Sequence, residues 1–468
     1  MSKLATTIAA ISTPPGKGGV AVIRMSGPEA FAIARRVFRP RGRRDPFSFP
    51  REAIYGDFLE GGEAVDDGLM TAFPAPASYT GEDTVELSCH GGVLITRTVL
   101  EALFAAGASP AEPGEFTRRA FISGKLSLSE AEAIGTLLEA TSTEQIRLSA
   151  SPARQKLNEA VSAIRGALVS LMSSIYARID YPDEDLGEFT DGESLDTLVR
   201  IRDELSQLID TYKTGRAINE GISTVICGKP NVGKSTLYNL LAGEDAAIVT
   251  DVAGTTRDIL ERTVSLGRVT LRLTDTAGVR SGDDVDKVEK IGIGRSKDRI
   301  SSSELILAVF DLSRSFDEAD RELIDEISKA DGYKLCILNK SDVAKAHGAA
   351  FDTSLLPEGV FGSTITISAD KDDTGALEEL GGVITRLFTD EKISCGQDAI
   401  VSSARQHASL LRTRGFIDTA IDAYRCGLPA DAASSDIEMA IGAISELDGR
   451  AVSETVVGDI FAKFCVGK

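Results

Sequence analysis

The spacing of apolar residues changes along this chain and predicts different elements in different regions. In the first part, short apolar runs alternate with polar turns. Gly19–Ser26 (GVAVIRMS) is predicted to be a strand, Pro28–Phe38 a short amphipathic helix, and Ser78–Gly92 a turn, a strand and a second turn. We therefore expect residues 1–120 to form an α+β domain.

From Pro113 onward the apolar spacing becomes helical. Ser127–Glu132 (SLSEAE) offers two overlapping capping boxes ahead of an apolar run. After Pro152, apolar residues recur in steps of three and four, which is typical of helix packing in a bundle. These positions are Leu157, Val161, Ile164, Leu168, Leu171, Ile175 and Ile179. Another helix is predicted to lead into residue 222, and three more to follow residue 390, at Ile400–Cys426, Ala430–Leu447 and Ser453–Phe464.

Between these helical flanks, the pattern is that of an α/β domain. Short apolar strands are predicted at Ile222–Cys227, Val269–Leu273, Leu335–Leu338 and Ile365–Ile367. Neither flank closes a core convincingly alone, so we expect both to form one helical bundle. The predicted order is an α+β domain (1–120), a first helical part (121–220), an inserted α/β domain (221–390) and a second helical part (391–468).

The loop after the first of these strands, GKPNVGKST at residues 228–236, matches the phosphate-loop pattern G-x-x-x-x-G-K-[S/T]. Its backbone N–H groups would surround phosphates. Lys234 would reach the outer phosphates, and Ser235 would offer a hydroxyl to Mg²⁺. Because the motif lies between a predicted strand and a predicted helix, it has the context that a P-loop domain requires.

Three downstream motifs follow in the order expected of a GTPase. DVAGTTRD at 251–258 is a candidate first switch, in which Thr256 would complete the Mg²⁺ shell. DTAG at 275–278 would place a carboxylate near Mg²⁺ and an N–H near the γ-phosphate. NKSD at 339–342 ends in Asp342, which could accept the ring N–H and exocyclic amine of guanine together. The nucleotide is therefore predicted to be GTP rather than ATP, and the inserted α/β domain to be a Ras-like P-loop GTPase domain.

Residues from all these motifs form the predicted GTP site, with a last base-contacting loop at Ser368 and Ala369. The set is Asn231, Val232, Gly233, Lys234, Ser235, Thr236, Thr250, Asp251, Val252, Ala253, Gly254, Thr255, Thr256, Asp275, Thr276, Ala277, Gly278, Asn339, Lys340, Asp342, Ser368 and Ala369.

Composition limits the remaining possibilities. The 468 residues are 42% apolar and 26% charged, as in ordinary soluble proteins. No apolar run approaches the length of a membrane span, and the first residues resemble neither a signal nor a transit peptide, so a cytoplasmic location without membrane association is expected. The six scattered cysteines suggest neither a zinc site nor disulfides. A net charge of −20 argues against a broad nucleic-acid surface, so any RNA contact must be local.

Taken together, the motifs resemble one family along the whole chain. The N-terminal segments TIAAISTPPGKGGVAVIRMSG, SYTGED, CHGG, PGEFTRRAF and GKLSLSEAEAI, the GTPase motifs and the terminal FCVGK are similar to the signatures of MnmE (TrmE) tRNA-modification GTPases, of the TrmE-Era-EngA-like superfamily. Many translation-related GTPases share the GTPase motifs. The N-terminal segments and the tail distinguish the MnmE family from those other GTPases.

This resemblance implies a homodimer that acts on tRNA in a heterotetramer-type complex with the FAD-dependent MnmG. The pair would add an aminomethyl or carboxymethylaminomethyl group to carbon 5 of the wobble uridine. A 5-formyltetrahydrofolate donor would bind the N-terminal domain through Arg24, Glu86, Lys125 and Lys468, and Cys465 is a candidate for direct participation. From the residues alone, Glu86 is favoured as an outward-facing charge over a pocket carboxylate, and Cys465 could equally be a packing residue.

The resemblance also implies K⁺-dependent hydrolysis, activated when two GTPase domains meet. Val279 stands where Ras-like proteins carry a water-orienting glutamine, and an apolar side chain cannot do this. The K⁺ ligands implied are Asn231, Thr250, Val252 and Thr255, and the water-orienting carboxylate is Glu289, whose alternative is a helix-surface charge.

Two other functions remain open. A ribosome-assembly GTPase would need a basic RNA-binding module, which this acidic chain does not show. A pure signalling switch would leave the folate-like residues and Cys465 without a role. The arginine run at Arg39–Arg44 is favoured as a solvated loop over a tRNA-phosphate patch.

Overall fold

The computed structural model describes residues 6–180, 190–242, 261–274, 299–348, 350–371, 374–395, 397–449, 454–462 and 464–467. The strands are β1 Ile8–Ile11, β2 Gly18–Ser26, β3 Phe38–Pro40, β4 Ile54–Glu60, β5 Glu63–Phe73, β6 Thr84–Gly91, β7 Ser109–Pro110, β8 Ile222–Cys227, β9 Glu261–Leu266, β10 Val269–Thr274, β11 Leu305–Asp311, β12 Tyr333–Asn339 and β13 Ser363–Thr366.

The helices are α1 Ala30–Val37, α2 Val93–Ala105, α3 Glu115–Ile122, α4 Leu128–Glu139, α5 Thr143–Ser149, α6 Ser151–Asp180, α7 Asp191–Asp210, α8 Tyr212–Asn219, α9 Lys234–Ala242, α10 Glu318–Ser328, α11 Ser341–His347, α12 Thr374–Phe388, α13 Ala404–Arg425, α14 Ala430–Asp448 and α15 Glu454–Phe461. Two 3₁₀ turns occur at Thr353–Leu355 and Ala369–Lys371. The chain forms two compact units: unit 1 is Met1–Leu138 with Ile437–Lys468, and unit 2 is Glu139–Asp436.

Unit 1 contains a seven-stranded sheet in the order β3-β4-β5-β6-β2-β1-β7. Strands β2 and β6 are antiparallel neighbours, with Ile23 opposite Leu87 and Arg24 opposite Glu86. Because side chains alternate along a strand, the first pair faces the core and the second faces the other side of the sheet. Helices α1 and α2 cover the core face with side chains such as Ile33. The predicted α+β character of this region is confirmed.

The C-terminal part of the chain completes unit 1. Leu128 and Ala131 of α4 pack against Val457 and Phe461 of α15 in a buried cluster. The hydroxyl of Ser129, inside α4, donates to the carbonyl of Leu447 at 2.7 Å. Unit 1 therefore depends on contacts between segments more than 300 residues apart, as the sequence separation of this hydrogen bond shows.

The tail then runs along the N-terminal strands. Val466 forms a β-bridge with Pro113, and the carbonyl of Cys465 accepts from the N–H of Gly114 at 3.3 Å. The Ser12 hydroxyl donates to the carbonyl of Gly467 at 3.0 Å. Gly467 has φ +97°, and a Cβ there would lie 2.3 Å from the Ile11 carbonyl oxygen. Only glycine fits this position without strain.

Unit 2 contains a six-stranded sheet in the order β13-β12-β11-β8-β10-β9, in which only β9 is antiparallel to its neighbour. Every residue of β11 is buried. Alternate residues of the same strands enter two separate clusters, one containing Leu307 and the other Phe310. Such double burial is expected of a parallel sheet covered on both faces. The predicted strand Ile222–Cys227 is confirmed with the same bounds.

Unit 2 also contains helices that precede this sheet in the sequence and helices that follow it. Helix α7, from before the sheet, contacts α13, from after it. Val401 N–H donates to the Thr211 hydroxyl at 3.0 Å, and the rings of Tyr212 and His407 stack at 4.0 Å. The helix predicted from Ile400 begins only at Ala404, because Ser403 forms a capping box with Gln406.

The hydrogen bonds at the start of α4 show which of the two overlapping capping boxes predicted there is formed. Ser127 and Glu130 form the reciprocal pair, with the Glu130 N–H donating to the Ser127 hydroxyl at 3.2 Å and the Ser127 N–H to the Glu130 carboxylate at 2.7 Å. Ser129 lies inside the helix. The first of the two predicted boxes is therefore confirmed.

The cysteines fall into two classes. Cys89, Cys227 and Cys336 are buried, and burial raises the pKa of their thiols to about 11, 12 and 12, respectively. Cys426 and Cys465 are exposed, and Cys395 is intermediate. Three of the six cysteines are therefore buried.

Among the described residues, one helical segment is long and apolar enough to cross a membrane by length and composition, Gln155–Asp180, with a mean hydropathy of 1.4 in its most apolar window. The prediction that no segment reaches this length is wrong by that criterion. Leu157, Ile164 and Leu171, which belong to its regularly spaced apolar positions, are nevertheless buried in unit 2. A core helix of a globular domain meets the same criterion.

Two helical glycines give a paired test of the packing in unit 2. A Cβ at Gly215 would lie 2.1 Å from the Val401 carbonyl oxygen, whereas one at Gly166 would meet nothing within 4 Å. We expect Gly215→Ala to reduce the stability of unit 2 by roughly 1–3 kcal/mol, and Gly166→Ala to raise it by roughly 0.5–1 kcal/mol. Scanning calorimetry measures both as opposite shifts in Tm. Equal stabilisation by the two substitutions would contradict the close contact at Gly215.

Candidate functional sites

The loop between β8 and α9 has the backbone conformation of a phosphate-binding loop. Asn231 has φ +63° and Gly233 has φ +95°. Asparagine tolerates this left-handed region better than most side chains. A Cβ at Gly233 would lie 2.1 Å from Nδ2 of Asn339, so the close approach of the two loops requires glycine.

Lys234 is held by its own loop. Its Nζ donates to the carbonyl oxygens of Gly228 at 2.8 Å and Lys229 at 2.7 Å. Partial burial lowers the pKa of this ammonium group below its usual range. The lysine therefore lies folded against the loop, as a cation available for phosphate oxygens.

Asn339, at the end of β12, joins three loops. Its Nδ2 donates to the Val232 carbonyl at 2.9 Å, and its Oδ1 accepts from the Ala369 N–H at 3.1 Å. The side chain is buried, so both hydrogen bonds are shielded from water. The phosphate loop and the Ser368–Ala369 loop are thereby fixed relative to each other.

Asp342, in the first turn of α11, is the carboxylate for which recognition of the base is predicted. Its Oδ1 accepts from the Ser368 hydroxyl at 2.7 Å, and its Oδ2 lies 3.3 Å from Nζ of Lys371. The hydrogen bond from Ser368, and then the one from Lys371, hold the pKa of the carboxyl below its usual range. The group is therefore ionised at neutral pH, as an acceptor of two N–H donors must be.

These groups line one cavity of about 470 Å³ in unit 2. Its lining is Asn231, Gly233, Lys234, Ser235, Thr236, Asn339, Lys340, Asp342, Val343, Ser368, Ala369 and Asp370. Three motifs predicted from the sequence thus meet at the carboxyl ends of parallel strands, where α/β sheets bind ligands. Val232, also predicted here, is buried and is not among the lining residues, but its carbonyl accepts from Asn339. The remaining predicted residues, 250–256, 275–278 and Glu289, lie outside the described residues.

The sequence analysis missed several residues around this cavity. Val343 and Asp370 also line it. Asp311 ends β11 and accepts from Nζ of Lys340 at 2.7 Å, which fixes the lysine of the NKSD motif. Lys229, inside the phosphate loop, pairs with Asp317 at the N-cap of α10. An aspartate directly after a continuous apolar strand was the available signal for Asp311.

A second polar site lies on the outer face of the sheet in unit 1. Nε and Nη2 of Arg24 both donate to Oε1 of Glu86, at 3.0 and 2.9 Å. The guanidinium lies 5.1 Å from the ring centre of Tyr79 and 5.8 Å from that of Phe116. Glu86 therefore faces away from the core, which is the orientation favoured from the sequence. Its side chain is nevertheless half-buried and paired with Arg24.

Lys125 and Cys465 border this region at opposite ends of α3. The side chain of Lys125 lies beside Gly81, in the turn between Tyr79 and Glu82. A Cβ added at Gly81 would be 3.5 Å from Cγ of Lys125. Cys465 is exposed, beside Gly114 at the N-cap of α3. In the described part of the chain, neither residue forms a hydrogen bond with Arg24 or Glu86. Lys468 lies outside the described residues.

A buried arginine connects the segments that border this second site. Arg119 is 2% exposed and pairs with Glu82 at 3.2 Å and Glu115 at 2.8 Å. It also donates to the Thr6 carbonyl at 2.8 Å. Since a buried cation needs such partners, Arg119 fixes the SYTGED turn against α3.

The arginine run of unit 1 is largely neutralised. Arg41 lies 2.7 Å and Arg39 3.5 Å from Asp57, and Arg44 lies 3.0 Å from Glu52. Arg39 is also part of β3 rather than of a loop. This pairing fits the favoured interpretation of a solvated surface better than a phosphate-binding patch.

Comparisons with known proteins give matches along the chain. Residues 7–125 match the family described as GTP-binding protein TrmE N-terminus, and residues 128–465 match the MnmE helical domain. A protein of Thermotoga sp. (strain RQ2) named tRNA modification GTPase MnmE is 40% identical over 462 residues, which cover 99% of this chain and 100% of that protein. The protein of the same name from Acetivibrio thermocellus is 37% identical over 465 residues, 99% of each chain. Among solved structures, the FeoB G-domain from Methanococcus jannaschii is 26% identical, with a TM-score of 0.27 over 36% of this chain and 98% of that one.

Proposed function

Because the chain belongs to the MnmE family of tRNA modification GTPases, we propose that it couples GTP hydrolysis to modification of the wobble uridine, with MnmG as its partner. The chain is a GTP-hydrolysing enzyme of tRNA modification. The observation that carries the proposal is the cavity in unit 2, since it combines a phosphate-loop lysine with an ionised base-recognising aspartate.

Within that cavity each predicted residue has a chemical role. Lys234 and the loop N–H groups bind the phosphates, and Asp342 binds guanine, with Ser368 holding its carboxylate in place. Ser235, together with Thr256, would hold Mg²⁺. When bound, that ion would supply positive charge to the phosphate oxygens.

K⁺ dependence is part of the proposal. Asn231 lines the cavity with its backbone in the left-handed region. With Thr250, Val252 and Thr255, its amide oxygen would hold K⁺. The cation would supply the positive charge that an arginine finger supplies elsewhere. Glu289 would orient the attacking water in place of the glutamine that Val279 replaces.

Folate binding is proposed for the outer face of the sheet in unit 1, and the residues there fit the group. Both Arg24 donors use Oε1 of Glu86, so Oε2 can accept from an amidine edge such as that of a pteridine. The partly exposed ring of Tyr79 lies beside the Arg24 guanidinium, whereas the ring of Phe116 is buried. Lys125 and Lys468 suit the glutamate tail, and bound 5-formyltetrahydrofolate would supply a one-carbon unit at the formate oxidation level.

The proposed architecture keeps the four sequence ranges, with the GTPase domain (221–390) inserted between helical parts at 121–220 and 391–468. Packing of α7 against α13 supports a bundle built from both flanks. A homodimer that meets MnmG and tRNA in the cytoplasm completes the proposal. When GTP brings two GTPase domains together, this movement would then change the conformation of the modification site.

Cys465 gives the sharpest test of the modification chemistry. Its thiol is exposed. The tail that carries it is held through the main-chain carbonyls of Cys465 and Gly467, which accept from the Gly114 N–H and the Ser12 hydroxyl, and substitution of Cys465 by serine keeps both carbonyls. We expect tRNA from cells lacking the protein to lose the wobble-uridine group, and the intact gene, but not Cys465→Ser, to restore it. Nucleoside mass spectrometry of total tRNA measures this.

Cys426→Ser is the matched control, because Cys426 is the other exposed cysteine in the described part of the chain. It should restore the modification as the intact gene does. Full restoration by Cys465→Ser would remove the cysteine from the chemistry. Unchanged tRNA in cells without the protein would overturn the proposed function and direct attention to ribosome assembly.

A further inference from the structure

Three potential metal ligands meet on two neighbouring strands of unit 1. Asp66 and Asp67 belong to β5 and His90 belongs to β6, and one ligand atom from each lies within 4.8 Å of the others. In the described part of the chain this is the one group of at least three His, Cys, Asp or Glu with that geometry. We propose that Asp66, Asp67 and His90 bind a divalent transition-metal ion of the Zn²⁺ type.

Asp66 and His90 are already aligned with each other. Oδ1 of Asp66 lies 2.7 Å from Nδ1 of His90, and Oδ2 accepts from the His90 backbone N–H at 2.9 Å. The Asp66 side chain is 7% exposed, whereas the His90 side chain is 61% exposed. One ligand is therefore fixed within the sheet, and the imidazole remains accessible to an ion from solvent.

Asp67 is oriented by a chain of hydrogen bonds. The Tyr55 hydroxyl donates to Oδ2 of Asp67, and Nη1 of Arg41 donates to the Tyr55 hydroxyl at 2.9 Å. Arg41 is itself held by Asp57 at 2.7 Å. Hydrogen bonds of this kind orient ligating carboxylates in metalloproteins. The site thus has a supporting shell and not only the ligands.

The charge distribution also favours a cation. Within the part of the chain that the structure describes, neither Asp66 nor Asp67 forms an ion pair with a lysine or arginine. Asp57, by contrast, is paired with two arginines. Two carboxylates on adjacent residues repel each other, and a divalent ion would relieve this repulsion.

The ligand types select among ions. One imidazole nitrogen with two carboxylates suits Zn²⁺ and its neighbours in the first transition row. Mg²⁺ and Ca²⁺ prefer sets made only of oxygen, so the Mg²⁺ that accompanies GTP should not compete. Cys89, next to His90, is buried on the core side and contacts the Ala21 carbonyl, so no thiolate is available. With three protein ligands, coordination positions remain for water or for a group from a partner.

The test is Zn²⁺ binding by the full-length chain, stripped of metal and kept in excess Mg²⁺. Cys426→Ser and Cys465→Ser are included in every variant, so that exposed thiols do not bind the ion. Equilibrium dialysis with metal analysis should give one Zn²⁺ per chain. His90→Gln should weaken binding at least tenfold. Tyr55→Phe, which leaves all ligands in place, should weaken it about 10–100-fold.

His347→Gln is the control, because His347 is an exposed histidine outside the cluster. It should bind Zn²⁺ as the parent does. Equal affinity of His90→Gln and the parent would overturn the proposal, and so would an equal loss in His347→Gln. Circular dichroism of each variant without metal, which should match the parent, separates lost binding from lost folding.

Discussion

Replacing Asp342 by asparagine is expected to weaken GTP binding by about 10²–10³-fold and to shift the preference toward xanthine nucleotides. The carboxylate can accept two N–H donors of guanine, and each hydrogen bond to a charged group contributes roughly 1.5–3 kcal/mol. An asparagine amide offers one acceptor and one donor. It therefore matches xanthine, which has a carbonyl where guanine has its amine.

The measurement is competition of GTP and XTP for a fluorescent nucleotide. Asp325→Asn, on the exposed surface of α10 in the same unit, provides the control with the same change of charge. It should leave both affinities unchanged. If Asp342→Asn kept the parent preference for GTP, Asp342 would not be the residue that reads the base.

Replacing Asn231 by glycine is expected to abolish the stimulation of GTP hydrolysis by K⁺, a loss on the order of 10³-fold if the cation acts as an arginine finger does. Glycine is the appropriate substitution, because Asn231 has φ +63°, a conformation that glycine and asparagine adopt more readily than alanine does. The change thus removes the amide and leaves the loop conformation intact.

The measurement is the rate of GTP hydrolysis by the parent and the variant, in K⁺ and in Na⁺. The variant should hydrolyse GTP at the parent's Na⁺ rate in both salts, while its affinity for GDP stays within a few-fold of the parent's. Retained K⁺ stimulation would exclude Asn231 as a ligand. Lost GDP binding would instead indicate a damaged phosphate loop.

Much of unit 2 could be predicted from the sequence because its signals are local. The strand Ile222–Cys227 is a continuous apolar run with a phosphate loop directly after it, and parallel strands buried on both faces have this appearance. The same logic placed Asn339 and Asp342 at one cavity, because strands of a parallel sheet end at one edge.

What could not be predicted depends on contacts between distant segments. Nothing near Leu128 indicates that Phe461 will cover it. Likewise β5 is a strand of 11 residues, but Asp66 and Asp67 interrupt the alternation that would have revealed it. Its hydrogen bonds to β4 and β6 outweigh this local pattern.

The discontinuity of unit 1 has a consequence during synthesis on the ribosome. Unit 2 is one continuous segment and can fold as soon as it has emerged, whereas Leu128 and Ala131 must wait for Val457 and Phe461. At roughly 5–20 residues per second, that interval lasts tens of seconds. During it, the nascent chain carries an uncovered apolar face on α4. We therefore expect chaperone contact to concentrate on this helix until translation is nearly finished.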